Sequence, residues 1–226
     1  MNNDGLEVER TEDGSSTLYR KDIDEHYHSV KGAMAESRHV YLDMGWRLAA
    51  ARRASVRVFE VGFGTGLNAA LTAEAALREK VHTKYFSVEL YPLAFGLAME
   101  LDYDKSMNFY EAVNRAEWNT AVEINDYFTL VKISADFLVM ELPEEIDVVY
   151  FDAFAPEKQS DMWGADVFAR IYGAMAPDGI LTTYCAKGII RRRLQDTGFT
   201  VQRLAGPENG KREILRALKI HDEAGF

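Results

Sequence analysis

The chain has 226 residues, which is the length of one large domain with a core of its own. A hydrophobic content of 47% excludes a disordered chain, and one cysteine excludes an internal disulfide and a metal site made of cysteines alone. The net charge of −10 argues against a surface that is basic throughout and binds nucleic acid by charge alone.

The acidic balance is uneven along the chain. Residues 185–226 hold nine Lys or Arg against five Asp or Glu, so this stretch has a surplus of four positive charges and the remainder carries −14. A basic patch on an acidic protein is compatible with the docking of one specific RNA.

Nothing in the sequence indicates a membrane or a metal. No apolar run approaches the roughly 18 residues of a membrane-spanning helix, and the polar residues 1–4 do not begin a signal peptide. The five histidines lack the spacing of metal ligands. We expect His26 and His28 to be surface residues, with a place in a site as the alternative. The prediction is a soluble, cytoplasmic protein.

Residues 1–54 are predicted to be a small extension ahead of the main sheet. Residues 7–19 indicate a hairpin around Asp13-Gly14, because this pair tolerates the positive φ of a tight turn. In residues 33–52 the apolar positions recur at near-helical spacing. We expect a hairpin and a helical lid that form one compact unit with a main domain at residues 55–226.

The main domain alternates between predicted strands and helices. Such alternation indicates a mostly parallel sheet with helices on both faces, which is a doubly wound, Rossmann-like α/β fold. Helices are expected to begin at 66 and to cover 93–101, 109–118, 167–175 and 189–194, with a break at 176–179. The late strand pair suggests one antiparallel edge, and seven strands are expected, at 56–61, 84–88, 128–133, 147–151, 180–184, 199–204 and 213–218.

A glycine-rich turn follows the first predicted strand. Its three glycines stand at alternate positions, closer together than in the dinucleotide fingerprint, whose wider spacing admits a pyrophosphate. The tighter turn suits the methionine part of S-adenosylmethionine (SAM), whose carboxylate can face the amides at a helix start. The Glu60 carboxylate is expected to bind the SAM ammonium, directly or through water. The alternative is a tight turn that binds no ligand. The predicted cofactor residues of this stretch are Glu60, Gly62, Phe63, Gly64, Gly66 and Asn68.

Two further acids follow strands of the same predicted sheet, where ligands of such folds bind. Glu89 ends the second strand, and a carboxylate there can accept both hydroxyls of a ribose. Asp136 follows the third strand and can hold the amine of adenine, with the Phe137 ring against the base. The alternatives are a solvated Glu89 and an Asp136 that only caps a helix. Together with the glycine turn, these positions predict a SAM site.

The fourth strand leads into residues 151–156, which read Phe-Asp-Ala-Phe-Ala-Pro. Methyl transfer needs a free lone pair in line with a sulfonium, and Asp152 can accept the hydrogen bond or the proton of an alkyl amine. Phe154 is expected to stack on a flat substrate; the alternative is a turn-forming Asp152 and a core Phe154. Cys185 is expected to be a small packed residue, because the Pro-Cys motif of pyrimidine carbon methylation is absent from the sequence.

The sequence segments at the predicted site, taken together, resemble one known family. Residues 59–68, 151–158, 161–163 and 182–188 are similar to the methyltransferase half of MnmC, the bifunctional bacterial enzymes of wobble-uridine modification in tRNA. The Asp-Ala-Phe-Ala-Pro and Asp-Met-Trp strings are specific, and the likeness also covers Tyr27-His28-Ser29 in the front segment. The resemblance therefore spans nearly the whole chain.

The resemblance implies a class I SAM-dependent methyltransferase that acts on the aminomethyl nitrogen of 5-aminomethyl(-2-thio)uridine at the tRNA wobble position. It implies that the glycine turn, Glu89 and Asp136 hold SAM and that Asp152 faces the amine. The flavin (FAD) dependent oxidase half of the bifunctional enzymes has no counterpart here, so the aminomethyl substrate is expected to be made elsewhere. The basic residues expected to meet tRNA phosphate are Lys187, Arg191, Arg192, Lys211 and Arg212.

Two other functions stay open at the level of sequence. A small-amine methyltransferase or aminopropyl transferase shares the fold and the acid after the fourth strand, but an aminopropyl transferase uses decarboxylated SAM and further acids for its polyamine. A non-catalytic SAM-binding partner subunit is the other hypothesis, which the intact Asp152 and Phe154 disfavour. Titration with SAM followed by a labelled-methyl assay distinguishes this non-catalytic subunit from an enzyme.

Overall fold

The computed structural model describes residues 5–103, 107–208 and 210–220. The polar start at residues 1–4 and the end of the basic stretch at 221–226 lie outside the described residues. Within the three described ranges, no helix is both long enough and apolar enough to span a lipid bilayer.

The front of the chain forms a small antiparallel sheet of three strands. These are β1 (Leu6–Arg10), β2 (Ser16–Arg20) and β3 (Glu25–His26). The first two form the predicted hairpin, and Gly14 occupies its turn with a φ of +81°. The third strand was not predicted, because two residues are too few to show a period in the sequence.

A continuous helical stretch follows the small sheet. α1 (Ala33–Glu36), a π-helical segment (Ser37–Trp46) and α2 (Arg47–Ala50) succeed one another, which confirms the predicted helix. The π-helical segment approaches the main sheet closely at Gly45, where a Cβ would lie 3.1 Å from Cε1 of Tyr150. The front segment therefore packs directly on the main sheet.

Within the described residues, the main sheet has eight strands, one more than predicted. The missed strand is short, half-exposed and at an edge of the sheet, so its sequence carries little apolar pattern. The eight are β4 (Ser55–Val61), β5 (His82–Glu89), β6 (Ala121–Asn125), β7 (Phe128–Ser134), β8 (Ile146–Phe151), β9 (Met175–Thr183), β10 (Thr200–Ala205) and β11 (Glu213–Leu218).

The strand order is β10-β11-β9-β8-β4-β5-β7-β6. The five strands from β9 to β7 are parallel to one another. β11 is antiparallel to both of its neighbours, so the late strand pair forms the expected antiparallel edge, and β6 adds a second one beside β7. The doubly wound, Rossmann-like fold class is confirmed, with eight strands in place of seven.

Helices connect the strands, and two of them are shorter than predicted. They are α3 (Leu67–Glu79), α4 (Phe95–Met99), α5 (Tyr110–Arg115), α6 (Ala165–Ala174) and α7 (Gly188–Thr197). The break predicted at 176–179 lies inside β9, where Asp178 has a φ of +59° and the register against β8 shifts. The helix does end before 176–179, as predicted, but these residues form the irregular start of β9, which begins five residues earlier than the predicted strand at 180.

The core lies on both faces of the sheet, because successive strand residues point to opposite faces. In β4, Val58 packs in a cluster with α3 and the π-helical segment, and Phe59 packs in a cluster with α6 and α7. The carboxyl ends of β4, β5, β7 and β8 meet at one edge of the sheet. There the N–H of Gly62 donates to the carbonyl of Val88 at 3.0 Å, which holds the turn after β4 against β5.

Candidate functional site

A cleft of about 520 Å³ opens at the carboxyl ends of the parallel strands. It is lined by the residues that directly follow β4, β5, β7 and β8 and by residues of the front segment. Ten residues predicted to belong to a site line it: Gly62, Phe63, Gly64, Asn68, Glu89, Asp136, Phe137, Asp152, Phe154 and Lys211. The topology therefore brings positions from most of the chain into one place.

The glycine turn between β4 and α3 requires glycine at its first and third positions. Gly62 has a φ of +92°, and a Cβ there would lie 3.1 Å from the carbonyl oxygen of Asp152. Gly66 has a φ of +80°, and a Cβ there would lie 2.9 Å from Cζ of Phe63. The turn thus packs against the loop after β8 at a distance that a larger residue does not permit.

Glu89 supports the glycine turn from the neighbouring strand. Its Oε2 accepts the N–H of Gly64 at 3.1 Å, and its Oε1 accepts the N–H of Tyr91 at 2.9 Å. Each carboxylate oxygen has two acceptor positions, so both oxygens keep capacity for the hydroxyl of a ligand. A partly buried carboxylate with this arrangement suits a pair of neighbouring hydroxyls.

The loop after β7 presents an acid and a ring. Oδ1 of Asp136 accepts the N–H of Leu138 at 2.8 Å, which is a turn-stabilising contact. Phe137 is buried, with its ring 6.1 Å from that of Phe59 and the Arg170 guanidinium 5.4 Å from its centre. The core therefore holds the ring in place where it lines the cleft.

Hydrogen bonds join the two acids beside the glycine turn. Asp152 accepts the hydroxyl of Tyr41 on Oδ1 at 2.5 Å and the amide of Asn68 on Oδ2 at 2.9 Å. Nδ2 of Asn68 also donates to Oε1 of Glu60 at 3.0 Å, and Ser87 donates to Oε2 of Glu60 at 2.6 Å. Both amide protons of Asn68 are engaged, while its Oδ1 is buried without a hydrogen-bond partner among the described residues.

Burial changes the protonation of both acids. Desolvation raises the pKa of Asp152 to about 7, although the hydrogen bonds from Tyr41 and Asn68 act in the opposite direction. Desolvation also raises the pKa of Glu60 to about 8. Near neutral pH and without a ligand, both carboxyls therefore hold a proton more readily than exposed carboxyls do.

Aromatic side chains surround the end of the cleft beside the loop after β8. The rings of Tyr27 and Phe154 meet edge to face with centroids 5.2 Å apart, and the carbonyl of Phe154 accepts the indole N–H of Trp163 at 2.8 Å. Tyr184 donates its hydroxyl to the carbonyl of Ala153 at 2.8 Å. These contacts fix rings around a space that suits a flat ligand.

Lys211 brings a cation to the same end of the cleft. Its Nζ lies 3.2 Å from Oε1 of Glu36 and 3.5 Å from the centre of the Tyr184 ring. Glu36 is buried, and its Oε2 accepts the N–H of Ser29 at 2.9 Å. The ion pair ties the loop between β10 and β11 to the front segment.

The other predicted site residues lie outside the cleft lining. Lys187 is ion-paired with Glu157, and Nε of Arg191 is buried without a hydrogen-bond partner among the described residues. Arg192 and Arg212 are exposed. The full set outside the lining is Glu60, Gly66, Lys187, Arg191, Arg192 and Arg212.

The front segment contributes residues that were not assigned to the site from sequence. Tyr27, His28 and Glu36 line the cleft, and Tyr41 contacts Asp152. The expectation that His28 is a surface residue is wrong, because it is only 9% exposed. Family resemblance in the front segment, at positions 27–29 and 36–38, was the sequence signal for these residues, since no local pattern shows what a lone side chain packs against.

His28 gives the folded protein a testable pH dependence. Its Nε2 lies 2.8 Å from Oγ1 of Thr65 in the glycine turn, and burial lowers its pKa from 6.5 to about 4. Because the folded pKa lies below the unfolded one, stability is complete above pH 6.5 and is lost as pH falls towards 4. Between pH 7 and pH 5 we expect this group to remove about 2 kcal/mol of the free energy of unfolding.

Urea denaturation at pH 7 and pH 5 measures this loss. His28→Gln should show a smaller loss between the two pH values than the wild type, and the control His26→Gln, whose ring is more exposed, should match the wild type. Equal losses in wild type and His28→Gln would contradict a buried neutral His28.

No metal centre is formed within residues 5–103, 107–208 and 210–220, where no group of three or more His, Cys, Asp or Glu could hold an ion. Cys185 is buried, as expected of a packed residue. Burial also raises the pKa of its thiol, which disfavours the thiolate that a nucleophile needs.

Comparison with known proteins bears on this cleft directly. Residues 105–220, about half of the chain, match the family described as S-adenosyl-L-methionine-dependent methyltransferase. The chain belongs to this family. The methyltransferase activity and the SAM cofactor predicted from the sequence are thereby confirmed.

Similarity to MnmC extends over most of the methyltransferase. This chain is 32% identical over 210 residues to the tRNA 5-methylaminomethyl-2-thiouridine biosynthesis bifunctional protein MnmC of Stutzerimonas stutzeri. The alignment covers 84% of this chain and 31% of that protein. The protein of the same name from Pseudomonas fluorescens is 32% identical over 215 residues, covering 86% and 32%. The chain spans about a third of the length of these relatives, and the predicted resemblance to MnmC is confirmed.

Solved structures agree with this relationship. MnmC2 from Aquifex aeolicus superposes on the methyltransferase with a TM-score of 0.72 at 26% identity, covering 94% of this chain and 70% of that one. Spermidine synthase from Thermotoga maritima superposes with a TM-score of 0.55 at 16% identity, covering 98% and 72%. The second likeness shows the fold alone.

Proposed function

We propose that this methyltransferase acts on the aminomethyl nitrogen of 5-aminomethyl(-2-thio)uridine at the wobble position of tRNA and gives 5-methylaminomethyl(-2-thio)uridine. The observation that carries the proposal is the similarity, over most of the chain, to MnmC proteins, which are named for 5-methylaminomethyl-2-thiouridine biosynthesis in tRNA. Asp152 lines the aromatic end of the cleft, and burial raises its pKa to about 7, which supports an amine as the acceptor. The proposal includes tRNA as the partner and the cytoplasm as the location.

The cleft has features that suit SAM. The buried, unpartnered Oδ1 of Asn68 is an acceptor for an ammonium, which we assign to the methionine part of SAM. We assign Glu89 to the ribose hydroxyls, and Asp136 with Phe137 to the adenine. Glu60 contacts Asn68 and holds its amide in this orientation. When bound, SAM supplies a methyl group on a positively charged sulfur.

Asp152 has the position and the protonation for amine chemistry. An alkyl amine arrives largely as the ammonium, and its nitrogen has no lone pair until a proton leaves. Asp152 accepts that proton on a carboxylate oxygen, which frees the nitrogen lone pair. A pKa near 7 matches this task, because a base of this strength is ionised often enough at neutral pH to take the proton.

We also propose that residues 1–54 are a lid on the domain of residues 55–226, in one compact unit. Tyr27, His28 and Glu36 line the cleft from the front segment, so this segment completes the end where the acceptor binds. A closed lid excludes water and strengthens the electrostatic contacts of the site.

We propose that tRNA phosphates meet the basic residues Lys187, Arg191, Arg192, Lys211 and Arg212. The double variant Arg192→Ala/Arg212→Ala removes two exposed cations, so the slope of log binding constant against log salt concentration should become shallower by about 0.7 to 0.9 per lost phosphate contact. The control Lys80→Ala/Lys84→Ala removes the same charge near the amino end of β5 and should leave the slope unchanged. An unchanged slope in both variants would contradict this docking surface.

The reaction is tested on tRNA that carries 5-aminomethyl(-2-thio)uridine, taken from a bacterial strain that accumulates this nucleoside. The purified protein with labelled SAM should transfer label to the tRNA, and nucleoside analysis should show 5-methylaminomethyl(-2-thio)uridine as the labelled product. Label in any other nucleoside, or in none, would contradict the proposed substrate.

A second candidate is transfer to a polyamine, which one observation favours. Three further carboxylates line the cleft, those of Glu25, Glu36 and Asp161, and acids of this kind suit a ligand with several ammonium groups. The ion pair with Lys211 weakens this argument for Glu36. Incubation with putrescine and either SAM or decarboxylated SAM distinguishes the two functions. An aminopropylated product would support transfer to a polyamine and contradict the tRNA proposal.

A further inference from the structure

We propose that Tyr41 is a positioning residue, which holds the Asp152 carboxylate in the orientation in which it takes the proton of the acceptor amine. The proposal rests on the function proposed above for Asp152 and adds to it a residue of the front segment. Tyr41 is 2% exposed, and its hydroxyl donates to Oδ1 of Asp152 at 2.5 Å.

The two oxygens of Asp152 are held by two different elements. Tyr41 of the π-helical segment donates to Oδ1, and Asn68 of α3 donates to Oδ2. Two donors on opposite oxygens prevent rotation of the carboxylate about its Cβ–Cγ bond, while each oxygen keeps an acceptor position. Without the Tyr41 hydroxyl, the hydrogen bond from Asn68 remains on one oxygen, and the carboxylate is free to rotate about its Cβ–Cγ bond.

Tyr41 is suited to be a permanent donor. Its ring packs 5.3 Å from that of Tyr150 on β8, so its hydroxyl is fixed in space. Burial and the adjacent Asp152 carboxylate raise its pKa well above 10, so the hydroxyl stays protonated across the working pH range.

Other groups also act on Asp152, from every element packed around it. Glu36 and Lys211 lie at the cleft end and are ion-paired with each other, and Glu60 lies behind Asn68. Titratable or charged neighbours of Asp152 within the described part of the chain include Glu36, Tyr41, Glu60, Tyr85, Tyr184 and Lys211. Tyr41→Phe leaves all the others in place, so the difference from the wild type isolates one hydroxyl.

The first test measures the carboxyl directly, without ligands. In protein labelled with ¹³C-aspartate, the side-chain carbonyl signal of Asp152 is identified by its loss in Asp152→Asn and followed through a pH titration. Tyr41→Phe should raise the pKa of Asp152 by about one unit, because it removes one hydrogen bond to the charged form. Tyr110→Phe, which removes a buried hydroxyl that donates to Ala98 at 3.1 Å, should leave the pKa unchanged.

The second test measures single-turnover methyl transfer to aminomethyl-uridine tRNA across pH. On the acid side of the profile, Tyr41→Phe should be at least about tenfold slower than the wild type, because the pKa of Asp152 is raised. Above that pKa the difference should become smaller, but the variant should stay slower than the wild type, because its carboxylate is free to turn. The dissociation constant of SAM should stay unchanged. Tyr110→Phe should follow the wild-type profile.

The outcomes separate this proposal from the function on which it rests. An unshifted pKa and profile in Tyr41→Phe, with Asp152→Asn inactive, would overturn the positioning role and leave the proposed function standing. A uniform loss of rate at every pH, with weaker SAM binding, would show a merely structural Tyr41 and also overturn it. A wild-type protein without transfer to this tRNA would overturn the proposed function and this proposal with it.

Discussion

Asp152→Asn is expected to lower the single-turnover rate of methyl transfer by about 10²- to 10⁴-fold, which is the usual contribution of a positioned proton acceptor. Asn has the shape of Asp and accepts one of the two hydrogen bonds that Tyr41 and Asn68 donate to Asp152, but it takes no proton from an ammonium. The acceptor nitrogen then keeps its proton and has no lone pair for the methyl group. Calorimetry should find the SAM dissociation constant within a few-fold of the wild type, because the cofactor contacts proposed above do not use this carboxylate.

The matched control for this variant is Asp161→Asn. Asp161 also lines the cleft, but its Oδ1 accepts a hydrogen bond from the hydroxyl of the adjacent Ser160 at 3.2 Å. The single-turnover rate of Asp161→Asn should stay close to that of the wild type. If Asp152→Asn loses SAM binding as much as it loses rate, the carboxylate belongs to the cofactor site and its assignment to the amine is wrong.

Glu89→Ala is expected to weaken SAM binding by about 100-fold, because two hydrogen bonds from ribose hydroxyls to a charged carboxylate are lost. The same change leaves the N–H of Gly64 without its acceptor, so the glycine turn loses its support from β5. Both effects act on the cofactor and neither acts on the acceptor. The dissociation constant of SAM measured by calorimetry tests this expectation.

Glu25→Ala is the control for the cofactor contact. Glu25 lines the cleft from β3 and should change SAM affinity little. A comparison of thermal unfolding with and without SAM adds a second readout, since a variant that binds less SAM gains less stability from it. Wild-type affinity in Glu89→Ala would show that the ribose is held elsewhere.

Several parts of the site could be predicted because they follow from local patterns. β4 and β8 are buried apolar runs, so the residues after them, the glycine turn and Asp152, can be located in the sequence. Parallel strands end at the same edge of a sheet, which places Glu89 and Asp136 beside that turn. The chemistry of three acids and three glycines then indicates SAM before any coordinate is known.

Other parts depended on packing that no local pattern records. Glu60 was expected to bind the SAM ammonium, yet it is fully buried behind Asn68 and does not line the cleft. The eighth strand, β6, was missed because a half-exposed edge strand needs little apolar pattern. His28 was expected at the surface, and it is buried against the glycine turn.

By itself, the sequence determined the fold class and the SAM-dependent methyltransferase family, and it predicted the cofactor positions at the strand ends and Asp152 as the acid of the reacting end. Periodicity and turn chemistry are local properties, and the parallel topology converts them into positions at one sheet edge. Only the tertiary structure decided which groups hold that acid. Tyr41 stands 111 positions before Asp152 in the chain, and their contact exists because a π-helical segment packs on β8 through Gly45. Such a contact depends on the fit of two surfaces, which single-residue patterns do not contain.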